Sequence, residues 1–160
     1  MIPVKVAGVV VDSRYSSHVV LLQEEQGEKV LPIFIGEAEA FAIAVVLQKE
    51  KYPRPFTLDL TKTLLDALEA RIVRVIVTAL KDDTYLASLV VERDGRTFTF
   101  DARPSDLIGL ALRAQAPLFV AEEVMAVAGQ IPAADEESRL KDTQERLRNA
   151  NPEDIGDFKI

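Results

Sequence analysis

The sequence predicts a single α+β domain, built as two antiparallel β-meanders each leading into a buried helix, with a charged C-terminal helix appended. Three observations carry that prediction. Short runs of β-branched residues, set between polar turn clusters, recur three at a time. Each triplet runs directly into a helix-forming stretch whose first turn holds carboxylates. Beyond residue 134 charges dominate and large apolar residues thin out. Residues 1–130 are therefore expected to form the domain, and residues 131–160 a charged helix and tail.

The elements follow in order. Residues 2–11 are rich in Val and read as a strand. Asp12–Ser17 is a polar turn, His18–Gln23 a second strand, Glu24–Glu28 a loop and Val30–Ile35 a third strand. Gly36 opens a helix that runs to about Gln48. Glu37 and Glu39 fall in its first turn, where carboxylates meet the positive end of the helix dipole. Ala40–Leu47 is apolar on all sides, which predicts burial in the core or a subunit interface. Pro53 and Pro55 stiffen the connector that follows. Thr57 is expected to cap the next helix, with Asp59 in its first turn. Leu60, Leu64, Leu65 and Leu68 form its apolar stripe, and it ends near Ala70.

In the second meander, Arg71–Leu80 alternates. Val73, Val75 and Val77 are expected on one face, with Ile72, Arg74, Ile76 and Thr78 on the other. Lys81–Thr84 turns the chain into the strand Tyr85–Glu92. Asp94-Gly95 is a hairpin signal, followed by the strand Arg96–Asp101. Pro104 suits a first helical position, with Ser105 and Asp106 in the first turn of a helix that reaches about Gln115. Pro117–Val120 reads as a short strand and Glu122–Val127 as a helical turn. Gly129–Ala134 is expected to link to the helix Asp135–Asn149, whose large apolar residues are Leu140 and Leu147. Leu31–Gln48 and Phe98–Gln115 share one pattern, strand then acidic helix start, as an internal duplication would.

Totals narrow the function classes. A length of 160 residues suits one core, and an apolar share of 48% excludes disorder. The chain has no cysteine, which excludes disulfides and thiolate metal sites and fits a reducing, cytoplasmic setting. No basic-then-apolar leader opens the sequence. Its longest apolar stretch, Ala40–Leu47, falls far short of the roughly 20 residues that span a bilayer, so a soluble protein without a membrane partner is expected. The net charge of −7 repels phosphate backbones at long range and argues against tight nonspecific duplex binding. An enzyme that meets nucleic acid through a local basic patch or a bound cation remains compatible. No stretch of interleaved aromatic and basic residues stands out.

Familiar catalytic signatures are missing: there is no phosphate-binding Gly-rich loop, no G-x-S-x-G elbow and no H-E-x-x-H. The single histidine, His18, reads as a half-exposed strand residue, and zinc is not expected. What remains is a set of charged groups at element ends: Glu37 and Glu39; Arg54 and Asp59; Asp101, Arg103, Ser105 and Asp106. Carboxylates gathered there could hold Mg²⁺ or Mn²⁺, which prefer oxygen ligands. Arginines beside them could clamp phosphate oxygens bidentately. The same residues admit a structural account: helix-start acids as capping devices, Arg103 paired with Asp101 or Glu39, and prolines that merely stiffen a loop.

Three segments in order carry a resemblance. Leu31-Pro-Ile-Phe-Ile-Gly-Glu-Ala-Glu-Ala40, Pro53-Arg-Pro-Phe-Thr-Leu-Asp-Leu60 and Asp101-Ala-Arg-Pro-Ser-Asp106, the last followed by an apolar helix and Ala116-Pro-Leu-Phe-Val120, resemble the bifunctional nuclease (BFN-domain) family. The match covers about residues 1–127, and Asn151-Pro-Glu-Asp154 looks like the tail of bacterial members. The resemblance implies an α+β fold, a homo-oligomer and a nuclease that cuts phosphodiester bonds in DNA or RNA, to which the clustered carboxylates would add a divalent cation. The alternative is a noncatalytic oligomeric binding or regulatory module, which the apolar helix Ala40–Leu47 and the acidic surface would suit. The resemblance carries Glu37, Glu39, Asp59, Asp101 and Asp106 as candidate catalytic residues. Arg54, Thr57, Arg103 and Ser105 become candidate substrate-binding residues. One position departs from the family pattern: Leu58 stands where a histidine is usual.

Overall fold

Both meanders form, and a three-residue strand joins them into one sheet. The computed structural model describes residues 1–12 and 16–132. In chain order these contain β1 (Ile2–Asp12), β2 (Ser17–Glu24), β3 (Val30–Ile35), α1 (Glu37–Leu47), α2 (Thr57–Ala67), β4 (Arg71–Lys81), β5 (Thr84–Arg93), β6 (Arg96–Ala102), α3 (Pro104–Ala114), β7 (Leu118–Val120) and α4 (Glu122–Ala128). The expected helix Asp135–Asn149 and the tail lie outside the described residues. Among the described residues no helix is long and apolar enough to cross a membrane.

The seven strands run in the order β3-β2-β1-β7-β4-β5-β6. β7 pairs antiparallel with β1 and parallel with β4, so β1 and β4 run in opposite directions. α1 packs over β1 and β2, α3 over β4 and β5, and the two helices pack on each other. The units β1-β2-β3-α1 and β4-β5-β6-α3 are thus related as by a pseudo-two-fold axis through β7, normal to the sheet. The sheet is not flat. β3 and β5 stand five strand spacings apart, about 24 Å if laid out flat. Yet the Tyr85 hydroxyl on β5 donates to the Pro32 carbonyl on β3 at 3.4 Å. The sheet therefore curls around its core, where Leu22, Leu31, Ile43, Val75, Ile108 and Met125 are fully buried.

Several local expectations change in the folded chain. β4 does not alternate strictly. Bulges between Ile72 and Arg74 and between Val77 and Ala79 shift the register, so Ile72 joins Val75 and Val77 in the core. In α1 only Ala40, Ile43 and Val45 are buried, because one side of the helix borders open grooves. α2 begins one residue earlier than a Thr57 cap would give. Phe56 is the N-cap, and its N–H donates to Asp59 Oδ2 at 2.8 Å. The leucine stripe of α2 also divides. Leu58 and Leu65 pack against the core, while Leu60, Leu64 and Leu68 are each more than half exposed. α2 meets the domain mainly along the side that faces α3, and that narrow side accommodates Leu65 alone of the predicted stripe, together with Leu58. Gln130 belongs to the domain rather than to a free linker: its backbone exchanges two 2.8 Å hydrogen bonds with Val30.

Candidate functional site

A groove of about 880 Å³ opens where three helices begin. Glu37, Ala38, Glu39, Phe41 and Ala42 line it from α1; Tyr52, Pro53, Arg54, Phe56, Thr57 and Leu58 from the connector and the start of α2; Arg103, Ser105 and Asp106 from the start of α3. Its volume is in the range of ligand pockets. The fold explains the convergence. α1 and α3 are the symmetry-related helices that leave the two edge strands, so their N-termini meet over the middle of the molecule. Neither Gly36 nor Arg103, the N-caps of α1 and α3, uses a side chain to satisfy first-turn N–H groups. Each such terminus carries roughly half a positive charge and presents donors to an anion.

Arg103 is held in place from two sides. Its Nη1 lies 2.8 Å from Glu39 Oε1, and its Nε and Nη2 meet Asp106 Oδ2 and Oδ1 at 2.7 and 3.0 Å. The Asp106 bonds first, then the charges of Asp106 and Glu39, hold its pKa above the ordinary arginine value. Ser105 is 8% exposed and lines the groove. Arg54 is exposed, and no carboxylate pairs with it among the described residues. Glu37 also lacks an ion-pair partner there. Thr57 is exposed at the rim.

Two predicted residues stand differently. Asp101 is exposed on β6 opposite Ser88 and does not line the groove. Asp59 is committed to structure. Besides the Phe56 N–H it accepts a bond from Arg113 Nε. Partial burial pushes its carboxyl pKa up, but the Phe56 N–H and the Arg113 guanidinium outweigh that and hold it below the usual value. Arg113, only 6% exposed, also donates from Nη1 to the carbonyls of Ala42 at 3.0 Å and Gly109 at 2.9 Å. One guanidinium thereby ties α1, α2 and α3 together beneath the groove. The sequence reading missed it. Its signal was a lone arginine late in an otherwise apolar helix.

A second feature absent from the linear pattern is an aromatic wall. Phe41, Tyr52 and Phe56 meet edge-to-face, with ring centroids 5.1 to 5.8 Å apart. A smaller cavity of about 190 Å³ lies beside the groove; Glu37, Phe41 and Tyr52 line both, and His18 borders the smaller one. Leu58, at the position where the family pattern has a histidine, packs toward Gly109: a Cβ there would come within 2.6 Å of Leu58 Cδ1. As for a metal, no three Asp, Glu, His or Cys side chains are grouped to hold an ion among the described residues. The described residues of the groove thus form no all-protein cation cage.

Helix N-termini, two arginines, three carboxylates and the Ser105 side chain thus surround one cleft on an α+β scaffold. The family described as "Bifunctional nuclease domain" matches residues 20–132, and this chain belongs to that family. An uncharacterised protein of Mycobacterium tuberculosis is 35% identical over 95% of this chain and 96% of its own length. Bifunctional nuclease 1 of Oryza sativa subsp. japonica is 27% identical over 68% of this chain, and bifunctional nuclease 1 of Arabidopsis thaliana 30% identical over 66%. The aligned region is about a third of each plant protein, 34% in both cases.

Proposed function

We propose that the groove binds nucleic acid and hydrolyses its phosphodiester bonds. The observation that carries this reading is the convergence of the α1 and α3 N-termini, Ser105, Arg54 and Arg103 on one cleft. Three carboxylates, Glu37, Glu39 and Asp106, face two arginines there, and the helix termini offset the remaining negative charge. A phosphate would sit against Arg103, Arg54 and the Ser105 hydroxyl. Glu39 and Asp106 position Arg103. Glu37, without an ion-pair partner among the described residues, is the candidate to take the proton of an attacking water. The Phe41–Tyr52–Phe56 wall offers a stacking surface for an unpaired base, which favours single-stranded substrate.

A divalent cation is part of the proposal only as a shared ligand. Mg²⁺ commonly keeps several waters and uses one or two carboxylates plus substrate phosphates. A cytoplasmic location and a homo-oligomeric state, expected from the sequence and its resemblance, go with this reading. Exposed Leu60, Leu64, Leu68, Phe98 and Phe100 support the oligomer.

The test is cleavage of single- and double-stranded DNA and RNA in Mg²⁺, Mn²⁺ or EDTA, by wild type and by Asp106→Asn. The expected result is cleavage that falls by about 100-fold in the variant, with an unchanged melting temperature. Equal cleavage by both proteins, or none by the wild type, would remove the reading.

A further inference from the structure

The two edges of the sheet are treated differently. At the β3 edge, Val30 exchanges backbone hydrogen bonds with Gln130, Pro32 has no N–H to offer, and the Pro32 carbonyl accepts from Tyr85. That edge is closed at Val30 and Pro32, leaving only the last residues of β3 open. Among the described residues β6 ends the sheet on the other side, with Arg96 through Asp101 exposed on both faces. It has no lysine or proline and no bulge against β5, the devices that normally blunt an edge.

The geometry of β6 specifies what it can pair with. β5 and β6 are joined by a two-residue turn, Asp94 and Gly95 at φ 50° and 69°, closed by the pair Arg93 and Arg96. That closing pair is hydrogen-bonded, so the ladder alternates from it. Phe98 and Phe100 then bond inward to β5, and Thr97, Thr99 and Asp101 turn their N–H and C=O groups to the open edge. Phe98 and Phe100 lie opposite core residues Val91 and Leu89 yet are 43% and 50% exposed. They continue the core layer past the end of the sheet.

We propose that β6 pairs antiparallel with β6 of a second copy of this chain, about a two-fold axis at Thr99. This names the interface for the homo-oligomer put forward above and rests on that part of the reading, not on the nuclease activity. A two-fold normal to the sheet keeps each face, so residues of like parity meet. Centred on Thr99, that register sets Thr99 opposite its own copy and Thr97 opposite the partner's Asp101 in hydrogen-bonded pairs. All three outward-facing residues are thereby used. Phe98 falls opposite the partner's Phe100, twice over, in the closer non-hydrogen-bonded pairs that favour aromatic contact. No like charges meet, because the strand carries one cation, Arg96, and one anion, Asp101. Counting on, the partner's Gly95 turn falls opposite Arg103, so the second copy borders the mouth of each groove.

Two variants test this. Thr99→Pro removes an outward N–H and no bond to β5, so it blocks the pairing and leaves the hairpin intact. Light scattering and sedimentation should show a wild-type dimer, and at least a tenfold weaker one in Thr99→Pro with its circular dichroism retained. The chain has no cysteine, so Thr99→Cys gives a single reporter. Hydrogen-bonded partners have Cα atoms about 5.5 Å apart, within disulfide reach. The Thr99→Cys protein should form a covalent dimer on oxidation, and Thr97→Cys, offset from its own copy, should not. A wild-type monomer throughout would overturn both the interface and the oligomer. A dimer that survives Thr99→Pro and fails to cross-link in Thr99→Cys, above all one lost in Leu64→Lys, would leave the oligomer standing and move the interface to α2.

Discussion

Replacing Arg113 by methionine is expected to lower the stability of this domain by about 3 kcal/mol, a fall of roughly 10 °C in melting temperature. Methionine fills most of the volume, so the loss isolates the polar contacts. Removing one partner of a buried ion pair costs roughly 3–5 kcal/mol, and the lower end applies because Asp59 keeps a side-chain exposure of 36%. Two carbonyls, Ala42 and Gly109, lose their donor as well. The pH dependence has a definite sign. The carboxyl of Asp59 has a lowered pKa in the folded protein, so the stability it contributes is present above its unfolded pKa of about 3.9 and fades as pH falls through the folded value. The gap between wild type and Arg113→Met should therefore be widest near neutral pH and narrow in acid, down to the part carried by the two carbonyls. Urea denaturation across that range measures it. A gap that stays constant down to acid pH would show that packing, not the Asp59 pair, carries the effect.

Arg103→Ala should have the opposite profile: a large change in activity and little in stability. The side chain is 66% exposed, and exposed ion pairs contribute at most about 1 kcal/mol, so the melting temperature should barely move. Its guanidinium, aimed by Glu39 and Asp106, is the donor best placed to meet charge developing on a phosphate. Removing one such donor typically costs roughly 100-fold or more in rate, about 2.7 kcal/mol. The kcat/KM for cleavage should fall by that factor, and Arg103→Lys should restore little, since an ammonium cannot span both carboxylates in the same planar fork. Unchanged cleavage in Arg103→Ala would place the reaction outside this groove.

Much of the architecture was readable in the residues because it is local. Val-rich runs, the Asp94-Gly95 turn and Pro104 at a helix start each specify their own conformation. The helix-start acids were legible for the same reason, and Glu39 does meet Arg103. What escaped was long-range. The bulges that bring Ile72 inward depend on how β4 is paired, not on its own alternation. The aromatic wall gathers Phe41, Tyr52 and Phe56 only when α1 and the connector fold against each other. Asp59 looked free because its partner, Arg113, is 54 residues away. Leu60, Leu64 and Leu68 fit a buried stripe by spacing, but spacing cannot report which side of α2 the domain covers.

The short strand β7 has a consequence for how the chain is assembled. Among the described strands it alone connects the two halves, yet it follows both in synthesis. Its first pairing partner is Ile2, which meets Val120 across nearly the whole described chain. Each meander can zip from local hairpins and α1 can meet α3, but the two halves of the sheet cannot be hydrogen-bonded into one until residues 118–120 have left the ribosome. Closing so long a loop is slow relative to hairpin formation. The amides along β7 and its neighbours should therefore gain protection from hydrogen exchange last during refolding, after those of β2 and β5. Protection at β7 as early as at the hairpins would mean that the halves collapse together before either is complete.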